Sequence, residues 1–354
     1  MPGWHRKTKD LVSQGKLKVA GIVQEQHPDR AALYMQWQQM DWPLLADPFN
    51  ELGISAVPIT LLIDEHGVIR FKNPRGNDLK KFLESDYSAK GKAQKIQSGK
   101  LDIASLEKIV KDSPKNARAH FRLGVAYRMR YDSEKGEPED FSKAVGSWAE
   151  ALRLNPNQYI WRRRIQQYGP RLDKPYSFYD WVTKAREEIT KRGETPYPLI
   201  CEPTGSEFAF PEKRKGGKGD VLAKHPDPEG KITRDAGKKV TCETVVVSST
   251  KKSSPAVRVH LSFQVAGSST WTNDAGELSF HLEESDEVSV HDLKISDLPK
   301  EVSSNEDRQV EFELRPKTGK TLPKEISGAA FYYICTSDDG VCEYLRQDVK
   351  ITLP

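Results

Sequence analysis

The chain has 354 residues, which at about 150 residues per domain implies two or three domains. It is 36% hydrophobic, 30% charged and 9% aromatic, and its 55 Lys/Arg against 51 Asp/Glu leave a formal net charge of only +4, which excludes a global electrostatic case for nucleic-acid binding. No apolar run approaches the roughly 18 residues of a transmembrane span. The four cysteines are too few for a disulfide scaffold and lack the paired spacing of a zinc ribbon.

The start, Met1-Pro2-Gly3-Trp4-His5-Arg6-Lys7, is no signal peptide, because no apolar stretch follows the charges. It enters an amphipathic segment at once, with Trp4, Leu11 and Val12 as apolar members, as if cut inside an element. Leu17 to Val23 then reads as a buried strand, apolar on both faces as a central strand is. Pro28 to Met40 has apolar residues at Leu33, Trp37 and Met40, a helical spacing. Val57 to Ile63 reads as a second strand, and Val68 to Phe71 as a third after the turn Asp64-Glu65-His66-Gly67. Strand, helix and strand in that order indicate an α/β unit over residues 1–88.

Residues 100–193 carry helical periodicity. Leu101 to Val110 has apolar residues at Leu101, Ile103, Leu106, Ile109 and Val110, and Pro114 stops it. Further helices are expected over Ala117 to Met129, Phe141 to Leu154, Tyr159 to Tyr168 and Tyr176 to Ile189. Residues 194–240 change character. Between Pro211 and Lys239 stand nine Lys/Arg, five Asp/Glu and five Gly, with few large apolar residues, so this is a basic Gly/Pro-rich linker, either simply solvated or a docking site for an acidic partner.

Residues 241–354 read as β. Val257 to Val265, Leu278 to Leu282 and Gln309 to Arg315 alternate apolar and polar, and Phe331 to Cys335 and Val349 to Leu353 close the set, so an antiparallel sandwich is expected. Ser337-Asp338-Asp339-Gly340 is a tight-turn signal. It sets Cys335 and Cys342 nearly opposite across a hairpin, where a non-hydrogen-bonded pair brings Cβ atoms close enough for a disulfide. Cys201 and Cys242 flank the linker and are most simply free thiols or small buried residues. The eight histidines show no HxxxH or HExxH pattern, and His260 and His281 fall on the polar phase of their strands. There is no Gly-rich phosphate loop and no nucleophile elbow, so neither metal nor cofactor is expected.

Three resemblances add to this. Val19-Ala20-Gly21-Ile22-Val23, Trp42-Pro43-Leu44-Leu45-Ala46-Asp47 and above all Leu52 to Ile69, with Val57-Pro58-Ile59-Thr60 before a buried strand ending Ile63-Asp64-Glu65-His66-Gly67, resemble the redoxin branch of the thioredoxin superfamily. The resemblance covers about 75 residues and implies a thioredoxin-like α/β fold in which Val57 and a cis Pro58 bind an incoming extended chain. The family's Cys-x-x-Cys is absent, since no cysteine precedes Cys201. In that pattern a proline follows the second cysteine by about one helical turn, and Pro2 falls at its place. The reading frame is therefore expected to continue upstream through a strand and one or two cysteines. As given, the chain is expected to lack thioredoxin-type activity; with an upstream cysteine motif it becomes a thiol-disulfide oxidoreductase.

Leu123-Gly124-x-x-Tyr127 and Ala144-x-x-x-Trp148-x-x-Ala151-x-x-x-x-Pro156 resemble the two helices of a tetratricopeptide repeat, with a longer turn over Tyr131 to Asp140. This implies TPR-like helical hairpins, serving as a peptide groove or as a packing spacer. Tyr332-Tyr333-Ile334-Cys335 and Gly340-Val341-Cys342 resemble the closing hairpin of the amino-terminal immunoglobulin-like domain of DsbD-type thiol:disulfide interchange proteins. The resemblance implies that Cys335 and Cys342 are a redox pair, although their six-residue gap differs by about one residue from the familiar one; a structural disulfide is the other reading. The fold expected is thus multidomain: an α/β fragment, a helical segment and an immunoglobulin-like β-sandwich. The function expected is that of a thiol-disulfide redox-associated multidomain protein without thioredoxin-type activity in this form, or alternatively a non-enzymatic protein-interaction scaffold; a third reading is that Cys335 and Cys342 alone receive electrons from a separate redox partner. A hairpin disulfide points to an extracytoplasmic site, periplasmic or secreted, with the cytoplasm left open.

Overall fold

The computed structural model describes residues 2–24, 26–88, 102–168, 181–200, 226–248, 256–283, 285–299, 301–336 and 341–354, without the side chains of 166–168 and 274. Cys201, the turn at 337–340, the starts expected at Leu101 and Tyr176, and most of the basic linker lie outside the described residues. The architecture is mixed, with helices and mainly antiparallel sheets. The chain divides into two compact units, Met1–Gly217 and Lys218–Pro354.

The first unit opens with α1 (Pro2–Ser13), whose Trp4 and Leu11 pack against Leu62, Leu79 and Phe82. Those three belong to β3 (Leu61–Ile63) and α3 (Asp78–Glu84), and β3 pairs antiparallel with β4 (Ile69–Lys72). A separate parallel pair joins β1 (Gly21–Val23) to β2 (Leu44–Ala46), with α2 (Asp29–Trp37) between them in the chain. The long central strand expected at 17–23 is thus only three residues, and Ile22 is 46% exposed. The strand expected at 57–63 likewise shortens to its last three residues, with Ile63 51% exposed. Among the described residues each of these strands pairs with a single neighbour and leaves apolar side chains exposed on one face, so neither is the central strand, buried on both faces, that its apolar run implies.

The helices follow as α4 (Ile103–Asp112), α5 (Ala117–Tyr131), α6 (Asp140–Leu154), α7 (Tyr159–Tyr168) and α8 (Trp181–Lys191). Side-chain caps start two of them. Asp102 accepts from Ser105 N at 2.8 Å and Asn116 from Ala119 N at 3.1 Å, each satisfying an orphan helix donor. The α5–α6 pair packs through Gly124, above which lies the fully buried Trp148 indole, whose Nε1 donates to Phe121 O at 3.2 Å. Trp161 of α7 stacks on Phe121 at 5.0 Å. Helix α8 buries Val182, Ala185 and Ile189 against Leu33 of α2.

A buried polar junction ties helices to strands inside this unit. The Asp132 carboxylate receives Arg128 Nε at 3.0 and 3.1 Å, sits 3.0 Å from His27 Nε2 and accepts from Gln26 Nε2 at 3.3 Å. Arg164, also buried, donates to the carbonyls of Gln24 and Pro48. Charges this deep are tolerable only where they are well hydrogen-bonded, as here, and Asp132 is also ion-paired with Arg128.

The second unit is an antiparallel sandwich. One sheet has the order β5 (Val240–Ser248), β6 (Val257–Val265), β11 (Arg308–Pro316), β9 (Val288–Ile295). The other has the order β10 (Ser303–Ser304), β7 (Ser269–Thr272), β12 (Glu325–Thr336), β13 (Cys342–Thr352), with β8 (Ser279–Leu282) also on β12. Val259, Leu261, Phe263, Trp271, Phe312 and Tyr332 fill the space between the sheets. The alternation of β6 and β11 translates directly into one buried face each.

Two glycines on facing helices test the packing of the first unit. A methyl group on Gly124 would overlap the Trp148 ring, whereas one on Gly146 would meet nothing within 4 Å. Gly124→Ala is expected to lower stability by about 1–3 kcal/mol through overpacking, and Gly146→Ala to raise it by about 0.5–1 kcal/mol through helix propensity. Thermal unfolding followed by far-ultraviolet circular dichroism checks both signs.

Candidate functional site

The site grows from one ladder. β12 and β13 pair continuously from Glu325 opposite Thr352 to Cys335 opposite Cys342. Side chains alternate faces along a strand, so Tyr332 and Ile334 point into the sandwich core while Phe331, Tyr333 and Cys335 share the outer face. Thr336 N donates to Val341 O at 3.1 Å, which makes 336/341 a hydrogen-bonded pair and therefore 335/342 a non-hydrogen-bonded one. Non-hydrogen-bonded pairs approach most closely, and here the two Cα atoms are 4.0 Å apart with the sulfurs joined in a disulfide.

Among the described residues, hydroxyl groups lie next to the Cys335 end of the disulfide. Thr272 Oγ1 lies 2.8 Å from Cys335 Sγ, and Thr270 Oγ1 donates to the Cys335 carbonyl at 3.4 Å. Both threonines come from β7, which places Thr270 directly across from Cys335. Below them Tyr333 and Tyr344 form a tilted ring pair at 4.6 Å, and Tyr344 stacks on Phe331 at 6.3 Å. Among the described residues no charged side chain is hydrogen-bonded to either sulfur.

A segment N-terminal to the sandwich, residues 226–239, supports this face. Ile232 is buried against Ala329 and Phe331. Asp235 N donates to Arg346 O at 2.8 Å and Arg346 N to Thr233 O at 2.9 Å, so the segment runs beside the outer edge of β13. Two carboxylates lock it. Asp235 accepts from the backbone of Lys239 and Val240 and from Tyr332 Oη at 2.8 Å. Burial, reinforced by the Asp235 charge and hydrogen bond, pushes the Tyr332 phenol far above its ordinary range. Asp227 accepts from Lys231 N, Ile232 N and Arg346 Nη1. Burial alone would raise the Asp227 pKa, but the Arg346 hydrogen bond and the two backbone donors outweigh it and hold the carboxyl below its ordinary 3.8.

The remaining sequence candidates fall elsewhere. Val57 and Pro58 lie in the first unit, exposed, on the loop leading into β3, and the bond between them is cis. Cys242 lies in β5, against the sandwich core, as a free thiol. Burial pushes its pKa up to about 11, so it is protonated at neutral pH and a poor nucleophile. His260 sits 3.1 Å from Glu311 across the β6–β11 pair, and His281 lies edge-on to Phe331. No group of three or more His, Cys, Asp or Glu able to hold a metal occurs among the described residues. No helix among them is long and apolar enough to cross a membrane.

Thr270 and Thr272 escape a reading of the sequence alone. Their only local signal is the alternation in Ser269-Thr270-Trp271-Thr272, which says they share a face but not which strand they face.

No protein-family model and no curated protein matches the chain. Solved structures similar to it include the GAE domain of yeast GGA1, 14% identical at a TM-score of 0.23, covering 33% of this chain and 93% of that one. A FixG-related protein from Vibrio parahaemolyticus is 8% identical at a TM-score of 0.17, covering 31% and 94%. The N-terminal domain of Neisseria meningitidis DsbD in its reduced form is 12% identical at a TM-score of 0.14, covering 27% and 76%.

Asp227 generates a pH prediction. Its folded carboxyl titrates below the unfolded one, so its contribution is complete above the unfolded value and drains away as pH falls through the folded one. Stability of the sandwich is expected to decline below about pH 4, and Asp227→Asn to flatten that part of the profile. Urea unfolding between pH 2.5 and 7, followed by tryptophan fluorescence, measures it.

Proposed function

We propose that the chain acts in thiol-disulfide exchange, with Cys335 and Cys342 as its redox pair and a dithiol protein as its partner. The observation that carries this reading is the register of β12 and β13. The ladder aligns the two cysteines independently of the bond between them, so the thiols stay opposed after reduction and reoxidation needs no rearrangement. In the exchange, a partner thiolate attacks one sulfur, the S–S bond breaks and its electron pair leaves on the other. The partner's second thiol then displaces the mixed disulfide, and two electrons and two protons have moved to the hairpin.

On this proposal the α/β part of the first unit, residues 1–88, contributes no redox chemistry of its own, since no cysteine precedes Cys201. Its α/β part, residues 1–88, keeps the redoxin-like reading, supported by the parallel β1–β2 and antiparallel β3–β4 pairs and by Val57 and Pro58 at the head of β3. The helices, residues 100–193, keep the TPR-like reading, supported by the Gly124–Trp148 contact between α5 and α6. They serve as a spacer or protein-binding segment between α/β and sandwich domains. A reversible hairpin disulfide fits a compartment outside the cytoplasm.

The folded full-length chain is expected to show the Cys335–Cys342 linkage in non-reduced peptides, to lose it to a dithiol without unfolding, and to regain it on reoxidation. Insulin reduction is expected at background level, and Cys335→Ser is expected to trap a mixed disulfide through Cys342 with a dithiol protein. A linkage that opens only after denaturation marks a structural crosslink and turns the assignment to an interaction scaffold.

A further inference from the structure

The outer face of the β7–β12–β13 sheet holds one side chain whose position none of the foregoing accounts for. Thr272 is the last residue of β7 and precedes a single 3-10 turn, Asn273–Ala275. A threonine there would ordinarily cap the turn with its hydroxyl, but it makes no side-chain cap hydrogen bond. Its Oγ1 instead lies 2.8 Å from Cys335 Sγ. A disulfide sulfur has no proton to give, so the hydroxyl is the donor. The residue is 7% exposed, and its strand pairs with β10 on one side and β12 on the other. A β-branched side chain at such a site has little rotamer freedom, so the hydroxyl is held against the sulfur before any reaction begins.

We propose that Thr272 is a functional member of the exchange site, its hydroxyl stabilising the Cys335 thiolate. The inference rests on the reading of Cys335–Cys342 as an exchange pair. When the thiolate of a dithiol attacks Cys342 Sγ, a new S–S bond forms there, the Cys335–Cys342 bond breaks, and its electron pair departs on Cys335. The Thr272 proton is shared with that charge without leaving its oxygen. The dithiol's second thiol then expels Cys342, so the reagent becomes a cyclic disulfide and two electrons and two protons end on the hairpin. A hydrogen bond to a charged acceptor is stronger than one to a neutral sulfur, so Thr272 favours the reduced, charged state over the disulfide. A low-pKa leaving thiol also departs faster.

β7 supplies its own control. Thr270 lies on the same strand and the same face, but its hydroxyl goes to the Cys335 carbonyl and not to the sulfur. Thr270→Val removes the same chemical group from the same sheet and is expected to leave the thiol chemistry unchanged.

The test uses the full chain with dithiothreitol as the reductant and iodoacetamide as the alkylating probe, Cys335 being resolved from the other thiols by peptide mass spectrometry. In reduced Thr272→Val the midpoint of the Cys335 alkylation profile is expected to rise by about one pH unit, and reductive opening at pH 7 to slow about tenfold, the effect of losing one hydrogen bond to a charged group. Thr272→Ser, which keeps the hydroxyl, is expected to restore both to within about twofold. If Thr272→Val fails to fold, judged by near-ultraviolet circular dichroism, Thr272→Ala is measured in its place. An unchanged Cys335 profile in a folded hydroxyl-less variant overturns the proposal, as does an equal shift in Thr270→Val. A wild-type disulfide that resists dithiothreitol until the chain unfolds refutes the exchange reading instead. The alkylation profile of chemically reduced, refolded protein still decides the role of Thr272 in that case.

Discussion

The second unit depends on the register between β12 and β13. Side-chain period in a strand is two, so a slip of one residue would turn Tyr332 and Ile334 out of the core and Phe331 and Tyr333 into it. Burial on both faces makes that slip costly twice over. The same register that protects the core sets Cys335 against Cys342 at the end of the ladder. The disulfide therefore does not define the hairpin; it occupies a juxtaposition that apolar burial and backbone pairing have already enforced.

An edge strand brings a difficulty of its own, because it leaves a row of unpaired backbone groups. Arg346 shows how it is handled. Its backbone N–H and C=O point away from β12 and are taken by Thr233 and Asp235, while its guanidinium reaches Asp227 and lies over the Phe331 ring. One residue thus joins the covering segment, the edge and the outer-face aromatic group. Asp235 adds a link through the sheet, since the Tyr332 phenol it accepts from belongs to the inner face. Toward Cys342 the same segment reaches β13 through a side chain, Lys239 pairing with Glu343 beside the half-buried disulfide.

The legibility of the chain followed the strength of its periodicity. β6 and β11 alternate without interruption over their length and were readable, because burial on one face imposes that pattern. The α5–α6 hairpin was readable from Gly124 and Trp148, where a missing side chain and a very large one must meet. β9 was not singled out, because Val288 is its one buried residue and Asp292, at a φ of +52°, interrupts the run. The strands of the first unit were overestimated: apolar runs such as 17–23 and 57–63 announce burial but not how many neighbours will supply it. In the candidate site the cysteines were visible through their spacing. Thr272 was not, because its partner lies 63 positions away and only the strand order brings them together.

Cys242 and Cys335 show how one sandwich sets two thiol environments apart. Cys242 faces the apolar interior, where the thiolate would lose its hydration, and burial raises its pKa enough to silence it. Its Thr244 hydrogen bond works in the opposite direction but is outweighed. Cys335 faces outward, is only half-buried, and has a hydroxyl fixed against its sulfur. A threonine hydroxyl carries no charge, so placing it at 7% exposure avoids the large cost of burying a lysine or arginine beside the pair. On the exchange reading proposed above, the hydrogen bond gains strength when the sulfur becomes charged, so its stabilisation falls mainly on the thiolate state.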